Sequence, residues 1–201
     1  MKGFSDEERE RIRGELISSG RELFIQYGLE RTRIKDITDE VNIGTSTFYQ
    51  FFDSKEVLYG EVLLTEVERF NEDLEEQVEN AADPREQVRI NLKRTFEEVE
   101  SNPIIKNLIV GDELRTFQSQ LSTSNREALV EKLENNIFSS ISEWTELDSF
   151  KFDDEVLVDE LFRMLVFSTR AKNLSSGSET CEYDDARDAL IDVVVDGLFE
   201  E

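Results

Sequence analysis

Apolar side chains recur every three to four positions along most of this chain, in runs separated by Ser, Thr, Asp, Asn, Gly and Pro. That spacing lays one stripe along a helix. Ile12, Leu16, Leu23 and Phe24 form the first stripe and predict a helix over 5–27. Ser5 suits its N-cap, Glu7 and Glu8 its positive end, and Gly28 the left-handed position after its last turn. Thr32 is expected to cap a short second helix over 34–41, with Ile34, Ile37 and Val41 inward. A four-residue turn leads to a third helix over 45–52. Asp53 or Ser54 then opens a long fourth helix reaching residue 80, with Asp53 and Glu56 at capping-box spacing.

Pro84 and Pro103 each follow a polar cap and each suit the first helical position, predicting helices over 84–100 and from 103 towards Gly111. Residues 112–122 carry no clear pattern. Leu129, Leu133, Ile137, Ile141 and Trp144 predict a single long helix over 123–147. After the linker DSFKFDD come two more helices, over 155–173 and 183–199. The fold class is all-α, with about nine helices: a short-helix group at the N-terminus, then a larger helical part. The boundary falls at the start of the fourth helix, giving domains at 1–54 and 55–201.

Composition agrees with this outline. Two Pro and nine Gly in 201 residues leave few helix breakers, and fourteen Phe can fill a core. The single cysteine, Cys181, excludes an internal disulfide and is read as a small inert side chain. With no His, the chain has no His-based catalytic triad and no Cys/His zinc site. No metal, no cofactor and no enzymatic activity are expected. No basic-then-apolar segment opens the sequence, and no apolar run approaches the roughly 20 residues of a membrane helix. A cytoplasmic protein without a membrane partner is expected.

Charge complicates the picture. Asp and Glu number 47 against 23 Lys and Arg, a net of −24. Such an excess ordinarily argues against a nucleic-acid partner. The ordered periodicity argues against disorder, and adaptation to strong salt is the favoured reading. The excess is also uneven. Residues 1–60 hold 9 basic and 12 acidic side chains, residues 61–201 hold 14 and 35, and residues 31–55 hold four of each.

That near-neutral segment contains the candidate chemistry. Two short helices joined by a tight turn, the second opening Thr45-Ser46-Thr47-Phe48-Tyr49-Gln50, form a helix-turn-helix pattern. Short hydroxyl residues can enter a major groove closely, Thr methyls can meet thymine methyls, and Gln can pair with adenine. The Tyr49 phenol can reach a phosphate. Lys55, in the first turn of the fourth helix, lies beside free backbone N–H groups, and Thr32 lies at the start of the second; both positions suit a phosphate.

The segment GRELFIQYGLERTRIKDITDEVNIGTSTFYQFFDSKEVL, residues 20–58, resembles the N-terminal domain of the TetR family of transcriptional regulators. Leu23, Phe24, Gly28, Thr32, Ile37, Val41 and Ile43 carry the likeness, followed by Thr47, Tyr49, Phe52, Ser54, Lys55 and Leu58. The resemblance implies a DNA-binding domain ahead of a ligand-binding and dimerisation domain. It implies phosphate contacts at Thr32, Tyr49 and Lys55, with Arg33 beside them, and a groove-facing helix bearing Thr45, Ser46, Thr47 and Gln50. Phe48 could touch the groove. Leu23, Phe24, Ile37, Val41, Ile43 and Phe52 match core positions. Asn42 stands where the family turn has Gly, Gly44 where it has a Ser cap, and Ser46 where it has Gly; Asn is the next best residue for a left-handed turn.

The later helices have more apolar positions than one stripe requires. Phe96, Ile104, Leu108, Phe117 and Phe138 are candidate walls of a cavity, with Ile141, Trp144, Phe162 and Val166. That a pocket exists, for an unidentified small-molecule effector, is what the resemblance implies. It should be apolar with few polar anchors. Leu157, Leu161 and Leu165 mark one face of the penultimate helix, and Ala186, Ala189, Leu190, Val193, Val194 and Gly197 one face of the last. The resemblance makes these two faces a homodimer interface and implies a repressor that reads a pseudo-palindrome in double-stranded DNA. The alternative is a helical interaction protein that retains the motif unused and docks a basic partner on its acidic surface.

Overall fold

The computed structural model describes residues 4–111, 113–134, 140–173 and 183–200. Among them are eleven α-helices: α1 (Asp6–Arg31), α2 (Ile34–Glu40), α3 (Thr45–Phe48), α4 (Lys55–Glu79), α5 (Pro84–Ser101), α6 (Pro103–Ile109), α7 (Glu113–Gln120), α8 (Thr123–Glu134), α9 (Ile141–Thr145), α10 (Glu155–Phe167) and α11 (Tyr183–Leu198). The fold is all-α. Cys181 and Phe138 lie outside the described residues.

Local chemistry sets the helix ends. The Ser5 hydroxyl accepts from the Glu8 N–H at 3.2 Å while the Glu8 carboxylate accepts from the Ser5 N–H at 2.8 Å, a capping box that starts α1. At the other end Gly28 takes φ 77°, which breaks the regular helix there. Asp83 and Asn102 cap α5 and α6 ahead of their prolines.

Four expectations are corrected. Thr32 does not cap α2; it closes α1, with its N–H on the Gly28 carbonyl, and Arg33 holds the N-cap position of α2. Ser54 caps α4 by accepting from the Val57 N–H, so Asp53 and Glu56 form no capping box. The helix expected over 123–147 is described as α8 and α9, whose side chains join different cores. The helix expected over 155–173 ends at Phe167 and continues as a 3₁₀ turn, Ser168–Asn173.

Two hydrophobic cores organise the molecule. The first joins α1 to α4 with α6, α7 and α8, around Leu16, Phe24, Leu29, Phe48, Leu58, Tyr59 and Phe117. Phe24 and Phe117 both meet the Tyr59 ring edge-on, at centroid distances of 5.0 and 5.1 Å. The second joins α5, α9, α10 and α11 around Leu92, Phe96, Trp144, Phe162 and Val195. A short antiparallel bridge between Phe150 and Phe199 fastens the α9–α10 linker to the end of α11.

Candidate nucleic-acid interface and ligand cavity

The turn between α2 and α3 carries the Schellman hydrogen bonds. The Asn42 N–H donates to the Asp39 carbonyl at 3.3 Å and the Ile43 N–H to the Thr38 carbonyl at 3.0 Å. Asn42 stands at φ 57°, which its short polar side chain tolerates where a branched residue would not. Gly44 precedes α3, and its carbonyl accepts from the Thr47 and Phe48 N–H groups at 2.8 and 3.3 Å.

The third helix is shorter than its expected span. It ends at Phe48, and Gln50 and Phe51 continue as tight turns through N–H bonds to Thr47 and Phe48. Phe48 and Phe52 pull this segment onto the core at a centroid distance of 5.8 Å. Phe48 is fully buried, so it belongs to the core and not to the groove-facing set. Thr45, Ser46, Tyr49 and Gln50 share the opposite, outward face, Tyr49 with 54% exposure; Thr47 is half-buried at its edge. Arg9 fixes this face from behind: its guanidinium lies 5.1 Å over the Phe51 ring and donates to the Gln50 carbonyl at 3.3 Å.

Two expected phosphate contacts are turned inward. Thr32 is 1% exposed, and its hydroxyl donates to the carbonyls of Gly28 at 2.8 Å and Leu23 at 3.2 Å. The Lys55 ammonium donates to the carbonyls of Leu29, Glu30 and Thr32 at 2.7, 3.1 and 3.1 Å. All three of its protons are engaged at the end of α1, where a cation also complements the helix dipole. Arg33 is exposed as expected. Arg31, which sequence reasoning missed, is exposed on the other side of Thr32, and neither guanidinium pairs with a carboxylate among the described residues. The signal for Arg31 was its place next to Thr32 at the edge of the near-neutral segment.

The same end of α1 is gripped from α7. The Glu113 carboxylate accepts from the Leu29 N–H at 3.1 Å and from the Tyr59 hydroxyl at 3.0 Å. Burial, with the adjacent Glu113 charge, pushes the Tyr59 phenol well above its ordinary pKa, so it remains a neutral donor. A Cβ at position 28 would stand 2.8 Å from the Glu113 Oε1, so a side chain there would push that carboxylate aside besides meeting an unfavourable φ.

A second grip lies one layer further in. Arg21 of α1 clasps Glu66 of α4 in two hydrogen bonds, at 2.8 and 3.0 Å. Asn102 donates to the same carboxylate at 2.7 Å, and Arg69 reaches it at 3.3 Å. Burial raises the Glu66 pKa, but the hydrogen bonds from Arg21 and Asn102 and the charges of Arg21 and Arg69 outweigh it and hold the carboxyl below its ordinary range.

Glu66 also lines a cavity of about 360 Å³ enclosed by α4, α5, α6, α7, α8 and α10. Its walls are largely apolar: Leu63, Val67, Phe70 and Leu74 from α4, with Val99, Leu114, Val130, Leu133 and Phe167. Of the described residues expected to line it, only Leu108 and Val166 do. Phe96, Ile141, Trp144 and Phe162 fill the second core, and Ile104 and Phe117 the first. The cavity opens between the two cores, where neither aromatic cluster reaches. Asn91, Thr95 and Glu98 form a polar row on its α5 wall. Asn91 is 2% exposed, and its Oδ1 has no hydrogen-bond partner among the described residues.

On the far side, α10 and α11 expose an apolar surface. Leu157 and Leu190 are exposed, as are Val156, Met164 and Val193, the last at 70%. Ala186, Ala189 and Gly197 leave the α11 surface low. Leu161, Leu165 and Val194 are half-buried and pack onto the second core. Among the described residues, no helix is long and apolar enough to cross a membrane, and no cluster of three or more acidic, His or Cys side chains could hold a metal.

Comparison with known proteins agrees with this geometry. Residues 16–62, which hold Thr32, Lys55 and the whole outward face, match the bacterial regulatory proteins of the tetR family. The chain is 26% identical over 133 residues to the HTH-type transcriptional repressor KstR2 of Rhodococcus jostii (strain RHA1). That alignment covers 62% of this chain and 65% of the repressor, so the chain spans about two thirds of that relative's length. Among solved structures, RolR in complex with resorcinol superposes with a TM-score of 0.71 at 21% identity, over 98% of this chain and 92% of RolR. AibR in complex with isovaleryl coenzyme A and operator DNA superposes with a TM-score of 0.58 at 16% identity, over 94% and 98%. These two likenesses establish the shared fold; the helix-turn-helix match and the repressor relative make this chain similar to the TetR family of bacterial regulatory proteins.

Proposed function

We propose that this protein is a ligand-responsive transcriptional repressor that binds a pseudo-palindromic operator as a homodimer. The observation that carries the reading is an outward face backed by Phe48 and Phe52, on which the polar side-chain atoms of Thr45, Ser46, Tyr49 and Gln50 make no hydrogen bond among the described residues. In a major groove, Gln50 and the hydroxyls would read base edges, while Tyr49, Arg31 and Arg33 would meet phosphates. The DNA-binding unit would occupy 1–54 and the ligand-binding and dimerisation unit 55–201.

The exposed apolar face of α10 and α11 supports self-association. Two copies related by a two-fold axis would cover Leu157, Met164, Leu190 and Val193 and present their α3 faces about 34–36 Å apart, or a multiple of that spacing. Cavity and DNA face would be coupled through α7. Leu114 and Gln118 line the cavity, while Glu113 at the start of the same helix holds Leu29 and Tyr59. A ligand that shifts α7 would loosen that grip and so re-aim the α1–α3 unit, moving the population away from the DNA-competent spacing.

The acidic surface favours strong salt as the working condition, because screening lengths near 3 Å at about 1 M remove distant carboxylates from the DNA interface. The test is selection of genomic fragments by the full chain in molar KCl. Enrichment of a two-fold symmetric sequence is expected, bound by two copies; failure to enrich any sequence would overturn the proposal.

A further inference from the structure

The cations of the N-terminal unit divide into two groups. Arg11, Arg13, Arg21 and Lys35 are paired with Glu15, Glu61, Glu66 and Asp39. The guanidiniums of Arg9, Arg31 and Arg33 pair with no carboxylate among the described residues. In a chain with 47 acidic side chains, these three are left available to an anion from outside. Resting on the DNA-binding reading above, we infer that Arg9 grips a DNA phosphate beside the end of α3. It lies outside residues 16–62, where the family likeness runs, so the assignment comes from its place in the fold alone.

One Arg9 N–H donates to the Gln50 carbonyl at 3.3 Å, and the guanidinium lies 5.1 Å from the centre of the Phe51 ring. Phe4 closes on the same ring at a centroid distance of 6.2 Å. These contacts fix the guanidinium next to Gln50, whose side chain belongs to the outward face. Its four other N–H groups have no partner among the described residues, and the side chain is exposed. A planar fork already held over an aromatic ring matches two phosphate oxygens and loses little freedom on meeting them. Asp6, Glu7 and Glu10 are exposed on the same helix, while the Glu8 carboxylate is turned onto the Ser5 N–H. Screening near 3 Å at about 1 M salt suppresses their repulsion of the duplex and leaves a direct contact intact. Arg31 stands near the other end of α1, about 30 Å away, so the two would meet separate phosphates and their contributions add.

The test titrates the full chain, over about 0.5 to 2 M KCl, against the duplex recovered by selection with the parent protein. Arg9→Gln should lower the slope of log affinity against log salt by about 1 per bound copy of the chain, and Arg9→Lys, which keeps the charge, should hold the parent's slope. The glutamine variant should weaken binding by the same factor on the selected duplex and on duplexes with one changed base pair, because a phosphate contact reads no sequence. Neutral methylphosphonates, substituted one at a time for phosphates, should mark one linkage per half-site that matters to the parent and not to Arg9→Gln; Arg9→Ala serves if the glutamine variant does not fold. A slope equal to the parent's in the uncharged variant, or a loss confined to the selected sequence, would make Arg9 only a brace for Gln50 and overturn the assignment. The absence of such a linkage would overturn it too, with the DNA-binding reading left standing. Failure of the parent to bind any duplex would remove that reading as well.

Discussion

The end of α1 and the wall of α5 both bury polar side chains, and they differ in whether those side chains are satisfied. Around Leu29 every polar group has a partner: Thr32 donates to two carbonyls, Lys55 to three, and Glu113 accepts from a backbone N–H and from Tyr59. On α5, Asn91 is as deeply buried but its Oδ1 has no hydrogen-bond partner among the described residues. Saturated buried polar groups hold a scaffold in one shape. An unsaturated one costs stability and calls for its own explanation. The contrast moves Thr32 and Lys55 out of the DNA-contacting set.

The largest effect expected from this contrast is at Lys55. Lys55→Met leaves three carbonyls at the end of α1 without their cationic donor and should cost about 3 kcal/mol in chemical denaturation. The slope of log affinity for DNA against log salt should stay unchanged, whereas loss of a phosphate contact would lower it by about 1. Replacing Arg31 and Arg33 together with Gln should do the reverse: stability moves by less than about 0.5 kcal/mol and the salt slope falls by about 2.

Much of the N-terminal unit was legible because its signals are local. The Ser5 and Glu8 capping box, the left-handed Gly28 and the Asn42 turn each depend on residues within a few positions. The inward turn of Thr32 and Lys55 was not legible from the motif. A hydroxyl and an ammonium at those positions suit a phosphate as well as a carbonyl, and the choice depends on where α1 ends, 23 to 26 positions away from Lys55. The cavity was less legible still. Helical periodicity marks Phe96, Trp144 and Phe162 as inward, but inward residues pack against one another wherever they can reach, so the aromatic clusters became core and the gap between them became the cavity. A trace of it was present: Asn91 and Thr95 interrupt the apolar row of Val88, Leu92, Phe96 and Val99 on α5.

Smaller effects sharpen the comparison. Asn91→Leu should leave stability unchanged or raise it by up to about 1 kcal/mol, because it removes an unpaired buried acceptor; a loss of several kcal/mol would show that the carboxamide is satisfied within the protein. Glu66 lies on the saturated side. Its folded pKa is depressed, so its stabilising contribution is complete above the unfolded carboxylate value near ~4.3 and is lost as pH falls through the lower folded value. Unfolding free energy followed on the acid side should therefore fall less steeply in Glu66→Gln than in the parent.

On the reading proposed above, the outward face of α3, and not the inward-turned groups flanking it, meets duplex DNA. That reading is tested most directly by titrating Tyr49→Ala against an operator selected by the parent protein. About tenfold weaker binding is expected, from loss of a phosphate contact and its aromatic support, with an unchanged unfolding curve. Parent-level affinity in that variant would contradict it.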